Sequence, residues 1–282
     1  MAVQFIIDSA ADILPSEAEK LGITHLPLKV LFGTEEYADA VDMTHREFYE
    51  KLIERDVHPT TSQIPPAVFE DAYRKVAAMG DTAVVVTLSG KLSGTFQSAR
   101  IAAEEFEGQI FVVDSENVSL GQRILIQRGL ALREAGLSAE QIAARLDEEK
   151  KQIRVMALLD TLEYLKKGGR ISAATALAGS LLAIKPVIAV EDGLVVMAGK
   201  ARGSRQGNNL LRQMVEKSGG INFNKPFCLA YSGLSDALLQ KYIADSAELW
   251  KGKTENLPIA TVGCVIGAHA GPGAVAVAYF EC

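Results

Sequence analysis

The sequence predicts an α/β protein of two domains, an N-terminal domain with a parallel sheet and a C-terminal domain with a mixed sheet. In the first half of the 282-residue chain, short β-branched runs alternate with amphipathic helical patterns, which is typical of βαβ units. In the second half, residues 185–202 have the pattern of a β-hairpin turned at Asp192 and Gly193, which a purely parallel domain would not contain. The length also suits two domains, since one domain usually takes about 100 to 200 residues.

The elements of the first half follow from apolar runs and helix-start signals. Apolar runs bounded by turn residues predict strands at 3–8, 27–32, 82–88, 110–114 and 155–160. Helices are predicted to begin with a proline or with a hydroxyl residue that has Glu or Gln three residues later: Pro15, Thr44 with Glu47, Pro66, and Ser138 with Gln141. A further helix is predicted from about Thr95. We place the domain boundary at 155, so the predicted domains are 1–155 and 156–282.

The second half continues with helices over 207–220 and 236–250 and a strand over 227–233. Its last apolar run, 259–280, is long enough to cross a bilayer, but several glycines, Pro272 and His269 interrupt it. We therefore predict two buried strands around a glycine-rich loop and no stable membrane insertion. No flexible linker separates the halves, so a ligand cleft is expected between two packed domains.

Composition excludes some functions. The net charge of −6, with acidic and basic residues interleaved, disfavours nucleic acid as a partner. Three cysteines without a CxxC pair favour a reducing compartment, and the N-terminus lacks the features of a signal peptide, so a cytoplasmic protein is expected. The four histidines show no ligand spacing with the cysteines, and no metal site is predicted from spacing.

The segment 89–94, "SGKLSG", lies between a predicted buried strand and a predicted helix start. Unpaired N–H groups and the helix dipole favour an anion at such a place, and Ser89, Ser93 and Thr95 add hydroxyl donors. A simple helix cap explains the same residues equally well. A serine hydrolase or acyltransferase using Ser93 and His269 is an alternative, although the G-x-S-x-G elbow is absent. A binder of a phosphorylated small molecule is a third.

Two further segments offer polar groups. Residues 58–66 contain Thr60, Thr61 and Ser62 in a predicted loop, for which turn and cap chemistry is the simpler explanation. His269 lies among glycines. This density of glycine indicates that the backbone there closely approaches a ligand or another segment of backbone.

Short basic clusters follow, "YLKKGGRI" and "KARGSRQG", which contain Lys166, Lys167, Arg170, Lys200, Arg202 and Arg205. They fit either solvated helix ends or a docking patch for an acidic partner or a phosphorylated ligand.

Six motifs in this order make the chain resemble the DegV family of bacterial proteins over nearly its whole length: "DSAADILP", "TTSQ", "LSGKLSGTFQSA", "LEYLKKGGRI", "IKPVIAVEDG" with "GKAR", and "HAGPGA". The family includes the fatty-acid-binding subunits of fatty acid kinase. The resemblance implies an apolar tunnel between two α/β domains that holds a fatty acid, with no cofactor and no catalytic machinery of its own. The kinase subunit would be a separate protein. Ile64 departs from the family pattern, which more often has proline there, and this leaves the shape of the Thr-Ser loop open.

The resemblance also implies roles for particular residues. The carboxylate of the fatty acid would be held by Thr61, Ser62, Ser93, Gly94 and His269. Arg170 and Arg202 would lie where the kinase subunit docks, and Arg170 would also be near the carboxylate. Neither arginine has a carboxylate four residues further along the chain, so we expect both to be free to meet a partner.

Overall fold

The computed structural model of the chain describes residues 2–55, 57–171 and 184–282. Its strands are β1 (Val3–Asp8), β2 (Ile23–Leu26), β3 (Lys29–Phe32), β4 (Glu35–Ala38), β5 (Thr60–Ser62), β6 (Thr82–Thr87), β7 (Ile110–Asp114), β8 (Ile153–Leu158), β9 (Ile184–Glu191), β10 (Leu194–Arg202), β11 (Phe227–Tyr231), β12 (Ile259–Thr261) and β13 (Val275–Phe280). Its α-helices are α1 (Pro15–Leu21), α2 (His45–Glu54), α3 (Pro66–Ala78), α4 (Thr95–Ala103), α5 (Leu120–Glu134), α6 (Ala139–Glu149), α7 (Glu163–Lys167), α8 (Gly203–Lys217), α9 (Ala237–Asp245) and α10 (Cys264–Ala270).

A four-stranded parallel sheet in the order β2-β1-β6-β7 forms the centre of the N-terminal half. Its central strands are buried on both faces, which their continuous β-branched runs predict. The predicted strand 27–32 corresponds to β3, which joins β4 and β5 in a small antiparallel sheet instead of the parallel one. The capping boxes predicted at Thr44 and Ser138 are both present.

A six-stranded mixed sheet in the order β10-β9-β8-β13-β11-β12 forms the C-terminal half. The predicted hairpin is β9–β10, and its turn residues Asp192 and Gly193 have φ of 48° and 77°. Positive φ at both positions is what a type I′ hairpin turn requires. The predicted α/β class with one parallel and one mixed sheet is therefore confirmed. The domain boundary at 155 stays a prediction, and it would fall within β8.

Helix α5 packs between the two sheets and contacts β6 on one side and β8, β11 and β13 on the other. Its side chains Leu120, Ile124 and Leu125 are fully buried in a core shared by both halves. Because α5 contacts both sheets, the apolar interiors of the two halves join around this helix.

Helix α10 belongs to the C-terminal part of the sequence but packs against α2 and β3 of the N-terminal part. The prediction of a glycine loop between two strands was wrong here. Gly267 explains the difference, because a Cβ at this position would stand 2.7 Å from both Phe48 Cε1 and the hydroxyl oxygen of Tyr49. Glycine thus permits close helix packing at this position. The packing carries His269, on the last turn of α10, towards β5.

Among the residues that the structure describes, no helix combines the length and the apolar character that crossing a membrane requires.

Candidate ligand-binding site

An apolar cavity lies between the mixed sheet, the N-terminus of α5 and helix α10. Side chains of β8, β9, β13 and the residue before β13 form much of its wall: Val155, Ala157, Ile188, Val190, Ala274 and Ala276. The polar groups among its described lining residues are few: Thr61, Ser93, Ser119, Arg170 and His269. A mostly apolar wall with a few polar side chains suits an amphipathic ligand.

Thr61 and His269 are joined across the cavity end by a hydrogen bond of 3.0 Å between Thr61 Oγ1 and His269 Nε2. The other ring nitrogen, Nδ1, is buried and has no partner among the described residues. It lies against Gly168, where a Cβ would stand only 2.1 Å away. When Nε2 carries the ring proton and donates it, the Thr61 hydroxyl keeps its own hydrogen for a ligand oxygen.

Burial, together with the nearby charges of Arg170 and His58, lowers the pKa of His269 to about 4. The imidazole is therefore neutral at pH 7. The positive charge at this end of the cavity is carried by Arg170.

The Ser-Gly loop 89–94 reaches the cavity through Ser93. Its start is held by the buried Asp8 carboxylate, which accepts a hydrogen bond of 2.7 Å from the backbone N–H of Leu88. At its end, the N–H of Gly94 has no acceptor among the described residues. A Cβ on Gly94 would stand 2.0 Å from Gln63 Oε1, so a side chain there would require the exposed end of Gln63 to move.

A chain of hydrogen bonds connects Ile64, two residues after Ser62, with the Ser-Gly loop 89–94. The backbone N–H of Ile64 donates to Thr95 Oγ1 at 3.4 Å, and Thr95 Oγ1 lies 3.0 Å from Ser93 Oγ. Ser93 Oγ also accepts from the backbone N–H of Thr95 at 3.3 Å. If the Thr95 hydroxyl donates to Ser93, the Ser93 hydroxyl keeps its hydrogen for a ligand. Proline at position 64 could not donate the first of these bonds, so Ile64 contributes to this loop's shape.

Arg170 is exposed, but two of its donors are used within the chain. Its Nε donates to the carbonyl of Leu92 at 3.2 Å and its Nη1 to the carbonyl of Gly168 at 2.7 Å. The expectation that Arg170 is free was therefore wrong, because Arg170 braces the Ser-Gly loop.

Arg202 is exposed at the end of β10 and has no acidic partner within the described ranges.

The structure brings four predicted residues to one end of the cavity: Thr61, Ser93, Arg170 and His269. Ser62 and Gly94 are not among the lining residues. Thr61 and Ser62 lie on β5 and not in a loop, and successive side chains of a strand point to opposite faces. Sequence reasoning missed Gly168, whose role depends on a contact between distant segments. It named Thr95 as a hydroxyl donor or a helix cap, but not as the hydrogen-bond partner of Ser93.

The hydrolase alternative requires Ser93 to bond a histidine that a third group orients. In the described structure, the Ser93 hydroxyl bonds Thr95, and His269 bonds Thr61 with no carboxylate at its other nitrogen. This arrangement contains no activated nucleophile. The predominantly apolar lining does not suit a small phosphorylated ligand either.

The fold and the site define a class of α/β protein with a parallel and a mixed sheet, whose apolar cavity is lined by both halves of the chain and carries a small group of polar side chains. The family model described as "Uncharacterised protein, DegV family" matches residues 2–281. The chain belongs to the DegV family.

Relatives align with the chain from end to end. A DegV domain-containing protein of Deinococcus radiodurans is 36% identical over 283 residues, covering 99% of this chain and 98% of that protein. A DegV family protein of Thermus thermophilus, described as fatty acid binding, has a TM-score of 0.88 and 33% identity, covering 99% of this chain and all of that one. A stearic-acid-binding protein of Eubacterium ventriosum has a TM-score of 0.87 and 27% identity, covering 99% and 97%.

Proposed function

We propose that the protein binds one long-chain fatty acid in the apolar cavity, with the carboxylate at the end formed by Thr61, Ser93, Arg170 and His269. The observation that carries this proposal is the grouping of these polar side chains at an otherwise apolar cavity. The fatty acids bound by the Thermus and Eubacterium proteins support it.

The polar end has the donors that a buried carboxylate needs. Burying an unpaired carboxylate costs several kcal/mol or more, so convergent donors are required. The hydroxyls of Thr61 and Ser93 can each donate one hydrogen bond, and the N–H of Gly94 is a further unused donor near them. The guanidinium of Arg170 supplies the compensating charge.

The apolar wall accounts for affinity. Each buried CH₂ of an acyl chain contributes roughly 0.8 kcal/mol, so a long chain contributes on the order of 10 kcal/mol before the costs of binding. The wall then determines how tightly the ligand is held, and the polar end determines its orientation.

We further propose that this cytoplasmic protein is not an enzyme but presents the bound acid to a separate ATP-dependent kinase, which forms the acyl phosphate. Arg202 is the proposed centre of the docking surface, because it is exposed and unpaired within the described chain. Arg170 would sense whether the cavity holds a fatty acid, because its side chain bonds the Ser-Gly loop and also lines the cavity.

A comparison of two ligands tests the proposed site. Delipidated protein is titrated with a long-chain fatty acid and with the methyl ester of the same acid, which has the same tail but no charge. We expect the ester to bind at least about tenfold more weakly, because a charged hydrogen bond contributes roughly 1.5 to 3 kcal/mol. Equal binding would contradict the carboxylate assignment, and no binding of either would overturn the proposed ligand.

The hydrolase alternative is tested separately with an acyl-phosphonate probe, which labels an activated serine. We expect no labelling of Ser93. A covalent adduct that disappears in Ser93→Ala would establish the alternative instead.

A further inference from the structure

Three metal-ligating side chains converge outside the cavity described above. Asp39 follows β4, His45 is the first residue of α2, and Cys264 is the first residue of α10. One ligand atom from each lies within 4.8 Å of those from the other two. Asp39 and Cys264 are buried and His45 is half-buried.

Backbone contacts hold this cluster in place. The N–H of Cys264 donates to Asp39 Oδ1 at 3.1 Å, and Cys264 Sγ lies 3.8 Å from the carbonyl of Met43. Gly263 allows His45 to approach, because a Cβ there would stand 2.9 Å from His45 Nε2. The three side chains are thus positioned by the packing of α10 against the start of α2.

The chemistry of the set favours zinc. A thiolate, an imidazole and a carboxylate are all common ligands of Zn²⁺, and three protein ligands leave a fourth position for water. A tetrahedral zinc ion holds its ligand atoms about 3.5 Å apart, so shifts of about 1 Å would complete the sphere.

Charge supports the same conclusion. Asp39 is 2% exposed, and no lysine or arginine of the described chain forms an ion pair with it. A buried carboxylate without a cationic partner is costly, and a divalent cation would offset that cost.

The cluster is also reachable. A second cavity, of about 550 Å³, is lined by His45, Thr44, Asp12 and Ala40, the residue next to Asp39. Among the described lining residues of this cavity, His45 is the one member of the cluster, so an ion or a water would reach the cluster from the side of His45.

We propose that Asp39, His45 and Cys264 bind a zinc ion, with a water from the second cavity as the fourth ligand. The ion ties the start of α10 to the start of α2. Because α10 carries His269 on its last turn, the metal also stabilises the position of that histidine. The proposal of a zinc site does not depend on which ligand fills the apolar cavity.

Metal binding is tested on the full chain after treatment with a chelator. Zinc is measured by equilibrium dialysis, and cobalt is added as a spectroscopic substitute, since a cobalt–thiolate bond absorbs strongly in the near ultraviolet. We expect one zinc per chain, a cobalt–thiolate band, and a higher melting temperature with zinc than without.

Cys264→Ser distinguishes this site from adventitious binding. We expect it to lose the cobalt–thiolate band, to weaken zinc binding about tenfold or more, and to lose the thermal shift. Cys228→Ser is the matched control, because Cys228 is also a buried free thiol but lies outside the cluster. His45→Gln should weaken zinc binding while leaving the melting temperature of the metal-free protein close to that of wild type. Less than one zinc per chain, or binding that is equal in wild type and Cys264→Ser, would overturn the proposal.

Discussion

At the scale of single residues, the site depends on which way each hydroxyl hydrogen points. Ser93 Oγ lies within hydrogen-bonding distance of two groups of Thr95, the N–H and the side-chain hydroxyl. In turn, Thr95 Oγ1 accepts from the backbone of Ile64. In the proposed site Ser93 is the direct partner of the ligand, and Thr95 is a positioning residue that acts through it.

Substitution of Thr95 tests this arrangement. Thr95→Val removes the hydroxyl with little change of shape, so the Ser93 hydroxyl can turn away from the ligand. We expect Thr95→Val to weaken fatty-acid binding by about 1 kcal/mol or more, approaching Ser93→Ala, for which about 1 to 3 kcal/mol is expected. Thr95→Ser keeps the hydroxyl and is the matched control, with binding close to wild type. Wild-type affinity in Thr95→Val would contradict the positioning role. The measurement is the dissociation constant of a fatty acid for delipidated protein.

The protonation of His269 gives a pH prediction. Its pKa in the folded protein is about 4, below the value of 6.5 for an unperturbed histidine. The unfolded chain therefore binds a proton at higher pH than the folded chain does, and folding stability is lost as pH falls from about 6.5 towards 4. His269→Gln, which cannot take up this proton, should lose less stability over that range.

Urea unfolding of wild type and His269→Gln between pH 4 and pH 8 measures the difference in unfolding free energy. Parallel pH profiles for the two proteins would show that His269 does not titrate in this way. An NMR titration of the His269 ring in wild type is the direct control, and we expect it to stay neutral between pH 5.5 and 8.

At the scale of secondary-structure elements, local patterns predicted much of the framework. The buried strands β1, β6 and β7, the hairpin β9–β10 and the capped starts of α2 and α6 follow from signals within a few residues. Short elements that depend on distant partners were missed. Strand β5 pairs with β3, and α10 is a helix whose Gly267 fits against Phe48 and Tyr49.

The same reasoning explains which site residues could be predicted. Thr61, Ser93 and His269 lie in motifs that the family resemblance identified, and the structure brings them to one cavity. The cluster of Asp39, His45 and Cys264 has no local signal, because its members are brought together from segments more than 200 residues apart. Only packing of α10 against α2 brings them within reach of each other.

The contact between α7 and α10 gives a test at this scale. Gly168 follows α7 and has an ordinary helical φ of −73°, so Gly168→Ala introduces no backbone strain. Its new Cβ would overlap the His269 ring, however, at 2.1 Å from Nδ1. We expect the ring to be displaced, the Thr61–His269 hydrogen bond to break, and fatty-acid affinity to fall several-fold.

Gly199→Ala is the control for that substitution. It lies on β10, away from the cavity lining, and its Cβ meets only the end of the Leu210 side chain at 2.9 Å. Unchanged affinity in Gly168→Ala, or an equal loss in Gly199→Ala, would contradict the proposed role of this contact.

At the scale of the whole molecule, the proposed fatty-acid site and the proposed kinase-docking surface lie in different places. The cavity lies inside, between the two sheets, whereas Arg202 is exposed on the surface. Arg202→Glu should therefore abolish acyl-phosphate formation with the cognate kinase while leaving fatty-acid content and melting temperature close to wild type. Lys251→Glu, which reverses another exposed charge in the C-terminal half, should retain turnover.

The docking prediction includes a salt dependence, because contacts between charged surfaces are screened by ions. Wild-type turnover should fall as salt rises towards about 0.5 M. Full turnover in Arg202→Glu would remove Arg202 from the docking surface, and loss of bound fatty acid would assign it to the cavity or the fold.

The central claim is that the cavity holds a fatty acid, and the most direct measurement is mass spectrometry of lipid extracted from the purified protein. The account predicts close to one long-chain fatty acid per chain after gel filtration, because burial of the acyl chain in an apolar cavity makes release slow. Delipidated protein should take up the same acid again. A protein that carries no lipid, and whose delipidated form takes up none, would contradict the account.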